Sequence, residues 1–272
     1  MDMESLLRVL LATARLAARQ AANAIKRRAD RPHEVREKGP RDLVTDTDHA
    51  AQAAALSVIR ARHPGHLILA EEDPSNHPAE GGRWQIPAGV VWLVDPLDGT
   101  TNFTTALPFI CVSIGVAIDG QPVIGAIYDP YRNELFSAAR GQGARLGNKA
   151  LPPIKPAPLR RAVISLDWAR APQARHRALT TVSALAPHCH TVRAFGSAAL
   201  SQAYVAAGRV HLYFNFGLQP WDVGAGAVLI SETGGVLQQP GGGEWQLGEP
   251  AMLAGHPDLL DEVQPLVTAL HE

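Results

Sequence analysis

The chain has 272 residues, 46% hydrophobic and 19% charged, which is the makeup of a packed globular protein and excludes a disordered one. Its formal net charge of -1 leaves no positive excess to neutralise a phosphate backbone, so a small molecule, not nucleic acid, is the expected ligand. Cys111 and Cys189 have no second cysteine nearby for a zinc or redox pair and read as reduced thiols of a soluble, cytoplasmic protein.

In chain order, Leu6, Leu7, Leu10, Leu11, Ala14 and Ala18 recur at helical spacing and predict an amphipathic helix to about residue 28. Glu4, Arg8, Arg15 and Arg19 interrupt it too often for a membrane span or a signal-peptide core. A capping Thr/Asp cluster predicts a second helix over 47–62, followed by a strand at 67–70. Residues 73–89, broken by Pro and Gly, read as a surface excursion. Strands are predicted at 90–94, 110–118, 123–128 and 135–138, with Asp119-Gly120 as a hairpin turn. A Pro-rich stretch at 147–158 marks a boundary between subdomains 1–150 and 151–272. The second half alternates strand (162–166), helix (172–185), strand (191–194), helix (197–206) and strand (210–214). A helix after Trp221, strands near Val236 and Met252, and a helix over 257–270 complete a pattern of helices layered on a sheet.

The chemistry concentrates in WLVDPLDGTTNF, residues 92–103, where an apolar strand is expected to end at Asp95. A Pro-fixed turn there can aim Asp95, Asp98 and the Leu97 carbonyl at one spot, the oxygen donor set that a hard divalent cation takes. Gly99 and Thr100 follow where backbone N–H groups would be free for a phosphate. A lone Asp-Pro or Asp-Gly step commonly marks only a turn, but Glu71-Glu72 after the strand at 67–70 and Asp222 after Trp221 supply further acids.

Together with KGPRDLVTDTD at 38–48 and WDVGAGAVLISETGG at 221–235, these motifs resemble the inositol monophosphatase family over nearly the whole chain. The resemblance implies an αβαβα layered sandwich, an α+β half joined to an α/β half, with the active site at their junction. It implies two to three Mg2+ ions: Glu71, Asp95 and the Leu97 carbonyl on the first, Asp95, Asp98 and Asp222 on the second, and a weaker third near Glu71. Thr100 and Glu71 would orient and activate a water held there, Asp48 would support Thr100, and the loop of Lys38 would close over the site. The backbone of Gly196, Ser197 and Ala198 would face substrate hydroxyls, beside Gly99 and Thr100. Lithium inhibition and a homodimer are further implications.

Many inositol-cleaving members of that family carry a glutamate at the position of Asn215 and an aspartate at that of His211. Without that negative charge near the leaving group, a more anionic substrate would bind more easily, so Asn215 and His211 are candidate specificity residues. The expected activity is hydrolysis of a small phosphate monoester, inositol monophosphate-like or another sugar or polyol phosphate. Histidinol phosphate, fructose bisphosphate and 3′-phosphonucleotides are alternative substrates, and a regulator associated with transcription machinery is the alternative from another class. His49, His63, His66 and His188-Cys189-His190 read as surface or turn positions, Arg160 and Arg161 as a solvated basic pair, and Gly241-Gly242-Gly243 as a loop.

Overall fold

In the computed structural model, which describes residues 2–29, 31, 33–73, 75, 76 and 83–268, the first element is helix α1 (Met3–Lys26). Asp2 caps it by accepting from the Ser5 N–H at 2.8 Å, and Glu4 and Lys26 match the two ends of the helix dipole. Its buried stripe of Leu7, Leu10, Ala14, Ala17, Ala18, Ala21 and Ile25 is the expected helical face. A hairpin of β1 (Val35–Gly39) and β2 (Asp42–Thr45) follows, which the sequence did not suggest. Most of β1 is exposed, so it has no apolar alternation to read. Helix α2 (Asp46–Arg62) starts on a reciprocal cap, the Thr45 N–H donating to Asp48 Oδ2 at 2.9 Å and the Thr47 N–H to Thr45 Oγ1 at 3.1 Å.

The larger sheet is built from β3 (Leu67–Ala70), β4 (Val90–Asp98), then, after the short helix α3 (Thr100–Thr104), β5 (Cys111–Ile118), β6 (Gln121–Asp129), β7 (Glu134–Ala139), β8 (Ala144–Leu146) and β9 (Lys149–Ala150). The strands lie in sequence order, with β3 and β4 parallel and every later pair antiparallel. Asp119 and Gly120 both adopt positive φ, 49° and 77°, giving the tight turn between β5 and β6. Residues 74 and 77–82 of the expected surface excursion lie outside the described residues.

Strand β4 corrects one expectation. It does not end at Asp95 but pairs with β5 as far as Asp98, through an irregularity in which Asp95 opposes Ser113 and Asp98 opposes Cys111. Three steps on β4 thus match two on β5, a one-residue bulge at Pro96 and Leu97. Proline is tolerated in a central strand only at such a place, having no N–H for the ladder. Strict alternation would put residues three apart on opposite faces; with the bulge, Asp95 and Asp98 both reach the same cleft.

After a 3-10 turn at Leu159–Arg161 come β10 (Val163–Leu166), α4 (Pro172–Leu185), β11 (Thr191–Ala194), α5 (Ala198–Ala206), β12 (Leu212–Asn215), α6 (Pro220–Glu232), β13 (Val236–Gln238), β14 (Met252–Gly255) and α7 (Pro257–Thr268). The last helix was expected to reach 270, and residues 269–272 lie outside the described residues. The second sheet has the order β11-β10-β12-β14-β13, with β11, β10 and β12 parallel. Helices α1 and α2 cover the outer face of the first sheet, α5 and α6 lie between the sheets, and α4 and α7 cover the second. This is the αβαβα layering that the family resemblance implied. Among the described residues no helix is long and apolar enough to cross a membrane.

Candidate active site

The ends of both sheets meet at a cleft of about 800 Å³ lined by Glu71, Asp95, Leu97, Asp98, Gly99, Thr100 and Asp222, with Asp167, Arg170 and Asn215 from the second sheet's side. Asp167 and Asn215 stand at the carboxyl ends of the parallel strands β10 and β12, where open α/β sheets present their ligand sites. Gly99 links β4 to α3 at φ +100°, and a Cβ there would meet the Phe109 carbonyl oxygen at 2.9 Å, so only glycine fits this turn.

Each acid is held by an identifiable partner. Asp95 Oδ1 accepts from the Leu97 N–H at 3.0 Å. Asp222, in the first turn of α6, accepts from the Gln219 N–H at 2.8 Å, and Gln219 is itself fixed by the Trp84 indole N–H at 2.6 Å. Glu71 Oε1 meets Lys38 Nζ at 3.1 Å and Arg170 Nη2 at 3.3 Å. Lys38, on β1, also reaches Glu72 at 2.6 Å, and Arg170 reaches Asp42 at 2.9 Å. Thr100 Oγ1 donates to Asp48 Oδ1 at 2.9 Å, while the other oxygen of Asp48 caps α2. Asp48 therefore anchors a helix and orients a cleft hydroxyl at once.

The 196–198 segment behaves differently from what the resemblance implied. Ser197 Oγ donates to Asp98 Oδ2 at 2.6 Å, and the N–H groups of Ala198 and Ala199 donate to the same carboxylate at 3.2 and 2.7 Å. The Gly196 N–H donates to Asp167 Oδ1 at 2.6 Å. These donors are spent on Asp98 and Asp167 because an acid at the start of α5 satisfies its otherwise free N–H groups. Gly196 and Ala198 still line the cleft, whereas Ser197 is fully buried. Asn215 also lines it, but its Oδ1 accepts from the Gly217 N–H at 2.8 Å and its Nδ2 donates to the Tyr213 hydroxyl at 3.1 Å. His211 is not brought to the cleft: it precedes β12, its Nδ1 accepts from the Val163 N–H at 3.0 Å, and it lines a separate cavity. Because the cleft lies beyond the far end of β12, a residue before that strand cannot face it.

Sequence reasoning missed Asp42, Asp167 and Arg170. The two later residues had a usable signal, since they directly follow the apolar strand β10 at its ligand-facing end. His49 is exposed. His63 and His66 stack on each other at 4.8 Å beside Trp92, whose indole N–H donates to His66 Nδ1 at 3.1 Å.

The acids repel one another. Burial pushes Asp95 well above the usual carboxylate range, and the charges of Glu71, Asp98 and Asp222 push it further. Burial, Glu71 and Asp98 raise Asp222 to about 8. Burial also raises Asp98, against the pull of the Ser197, Ala199 and Ala198 donors. Glu72 rises to about 7 by burial and the charge of Glu71, and Asp167 to about 7 by burial and the charge of Asp98. Among the described residues, no three His, Cys, Asp or Glu side chains are drawn around one point as closely as an ion requires. The bonds just described explain this, for Asp98 is turned to α5, Asp222 to Gln219 and Glu71 to two cations. The donor set nonetheless fits a hard divalent cation: buried carboxylate oxygens share one cleft, and a cation among them would offset their mutual repulsion.

The inositol monophosphatase family model matches residues 6–271. Nus factor SuhB of Escherichia coli is 40% identical over 244 residues, covering 89% of each chain. Inositol monophosphatase 2 of Solanum lycopersicum is 34% identical over 260 residues, covering 94% of this chain and 96% of its own. The structure of staphylococcal SaIMPase-II with inositol monophosphate bound superposes with a TM-score of 0.79 at 28% identity, covering 97% of this chain and 95% of that one. A layered fold, an acidic cleft at the sheet ends and similarity along almost the full length agree: the chain belongs to the inositol monophosphatase family.

Proposed function

We propose that this protein hydrolyses a small phosphate monoester, inositol monophosphate or a related polyol or sugar phosphate, in a magnesium-dependent reaction. The observation that carries the reading is the gathering of Glu71, Asp95, Asp98 and Asp222 in one cleft beside Thr100. These carboxylates and the Leu97 carbonyl would hold Mg2+, which when bound supplies the positive charge that acidifies water and screens the phosphate. Thr100 Oγ1 lies 2.9 Å from Asp48 Oδ1 and 3.2 Å from the Leu97 carbonyl oxygen, and with its one proton given to these acceptors its lone pairs would accept from the attacking water. Glu71, positioned by Lys38 and Arg170, is the carboxylate that takes the water's proton. The N–H groups at the start of α3, beside Gly99, would face the phosphate. The relative whose structure holds inositol monophosphate supports a polyol ester as substrate.

A phosphate-release panel of monoesters with and without Mg2+ tests the proposal. Asp95→Asn should lower turnover by about a thousandfold or more, as removal of several kcal/mol of charge stabilisation predicts, while circular dichroism stays native. Full magnesium-dependent turnover by that variant would refute the assignment. The name of the E. coli relative, Nus factor SuhB, supports a second reading as a factor that binds transcription machinery. Stable capture of RNA polymerase with no turnover of any monoester would favour that reading.

A further inference from the structure

A second cavity, of about 270 Å³, lies at the other end of β10 and β12 from the cleft, and the proposed phosphatase chemistry leaves it unused. Its chemistry-bearing side chains are Lys155, His211 and His256, set among apolar walls that include Pro153, Ile154 and Leu259. Among the described residues no Asp or Glu lines it, though the Asp258 carboxylate stands just outside, 3.7 Å from His256 Nδ1. The two histidines are brought together by strand pairing: Leu212 of β12 opposes Gly255 of β14 in antiparallel register, so His211, just before one, flanks His256, just after the other.

Backbone donors fix the tautomer of both rings. The Val163 N–H donates to His211 Nδ1 at 3.0 Å, and the Asp258 N–H donates to His256 Nδ1 at 3.2 Å. A ring nitrogen that accepts from an amide carries its lone pair there, so each neutral imidazole keeps its proton on Nε2. Both rings thus have an Nε2–H donor to offer and no Nε2 lone pair for a metal. Exposed Lys155 adds a cation. The volume falls just below the roughly 300–1,000 Å³ of sites for drug-sized ligands, which suits a compact metabolite.

We propose that this cavity binds a small organic anion with an apolar body, its oxyanion held by His211 Nε2–H, His256 Nε2–H and the Lys155 ammonium. Carboxylates and phosphate esters share this head-group chemistry, and the apolar walls select against a bare inorganic ion.

The test is a titration of the full-length protein at neutral pH, followed through the ring 15N and 1H resonances of His211 and His256. Benzoate is the probe, with benzamide as the neutral isostere and inorganic phosphate as the bare anion. Benzoate should shift both rings saturably with one shared affinity. Benzamide should bind about tenfold more weakly or worse, the equivalent of about 1.4 kcal/mol. Lys155→Met, an exposed substitution that leaves the core untouched, should weaken benzoate several-fold. Four results would each overturn the proposal: no saturable shift with benzoate at millimolar concentrations, equal binding of benzamide, tighter binding of inorganic phosphate than of benzoate, or no effect of Lys155→Met. Stoichiometric Zn2+ binding by the two rings would overturn it as well, because it requires the Nε2 lone pairs that the tautomers exclude.

Discussion

Thr100 joins the α2 cap to the chemistry, because its hydroxyl lies 2.9 Å from Asp48 Oδ1 and 3.2 Å from the Leu97 carbonyl oxygen. Thr100→Val keeps the volume and removes the oxygen, so turnover should fall by about a hundredfold or more, the usual scale of a lost proton-transfer group. Thr100→Ser should retain most of the rate, and steady-state kinetics with unchanged thermal melting would check both. Asp167 supplies a different prediction. Its folded pKa of about 7 lies above the ordinary carboxylate value of 3.8, so between those two pH values the folded chain holds a proton that the unfolded chain has lost. Stability from this group therefore falls as pH rises from about 4 to about 7 and is level above that. Asp167→Asn removes the titration, and denaturant unfolding from pH 4 to 8 should show a flatter profile than wild type. An unchanged slope would mean that Asp167 is ionised when folded.

At the scale of elements, β4 and α6 place the acids, and their mutual approach is tight. A Cβ on Gly125 of β6 would lie 2.2 Å from the carbonyl oxygen of Ala225 in α6, and neither backbone can yield easily. Gly125→Ala should cost about 1–3 kcal/mol, as overpacking of a filled core does, read as a lower denaturation midpoint. Because α6 carries Asp222 in its first turn, the same substitution should reduce activity more than the stability loss explains. The β4 bulge shows why the DPLD string was only partly legible. Sequence singled out Asp95 and Asp98, which do line one cleft, yet read the proline as a strand end. Only the pairing with Ser113 and Cys111 shows that the strand continues and that a bulge turns both acids to one side.

For the whole molecule, the two halves are bridged by ions. Arg170, after β10, binds Glu71 and Asp42 from the first half, and Arg41 donates to the Arg170 carbonyl oxygen at 3.1 Å. Arg170 is half-exposed, so this bridge contributes about 1 kcal/mol at most. It also puts positive charge where the proposed cation would sit. Arg170→Met should therefore tighten Mg2+ binding by up to about fivefold, seen as a larger rise in melting temperature at a given magnesium concentration. A weaker magnesium response in that variant would show that the hold of Arg170 on Glu71 outweighs its repulsion of the ion.

By itself the amino-acid order pointed to helices layered on sheets, to most of the longer helices and strands and to the acids that line the cleft, because periodicity, caps and turn residues act over a few neighbouring positions; the short strands β8 and β9 gave no such signal. It could not show the β1–β2 hairpin, whose exposed residues leave no pattern. Nor could it show that Ser197 and Ala199 serve Asp98, that Arg170 reaches Glu71, or that His211 belongs to a separate cavity. Those outcomes depend on which strand ends face one another. Contacts between residues tens of positions apart, such as Asp98 with Ala199, are set by the packing of two sheets around α5 and α6, and no local pattern encodes them.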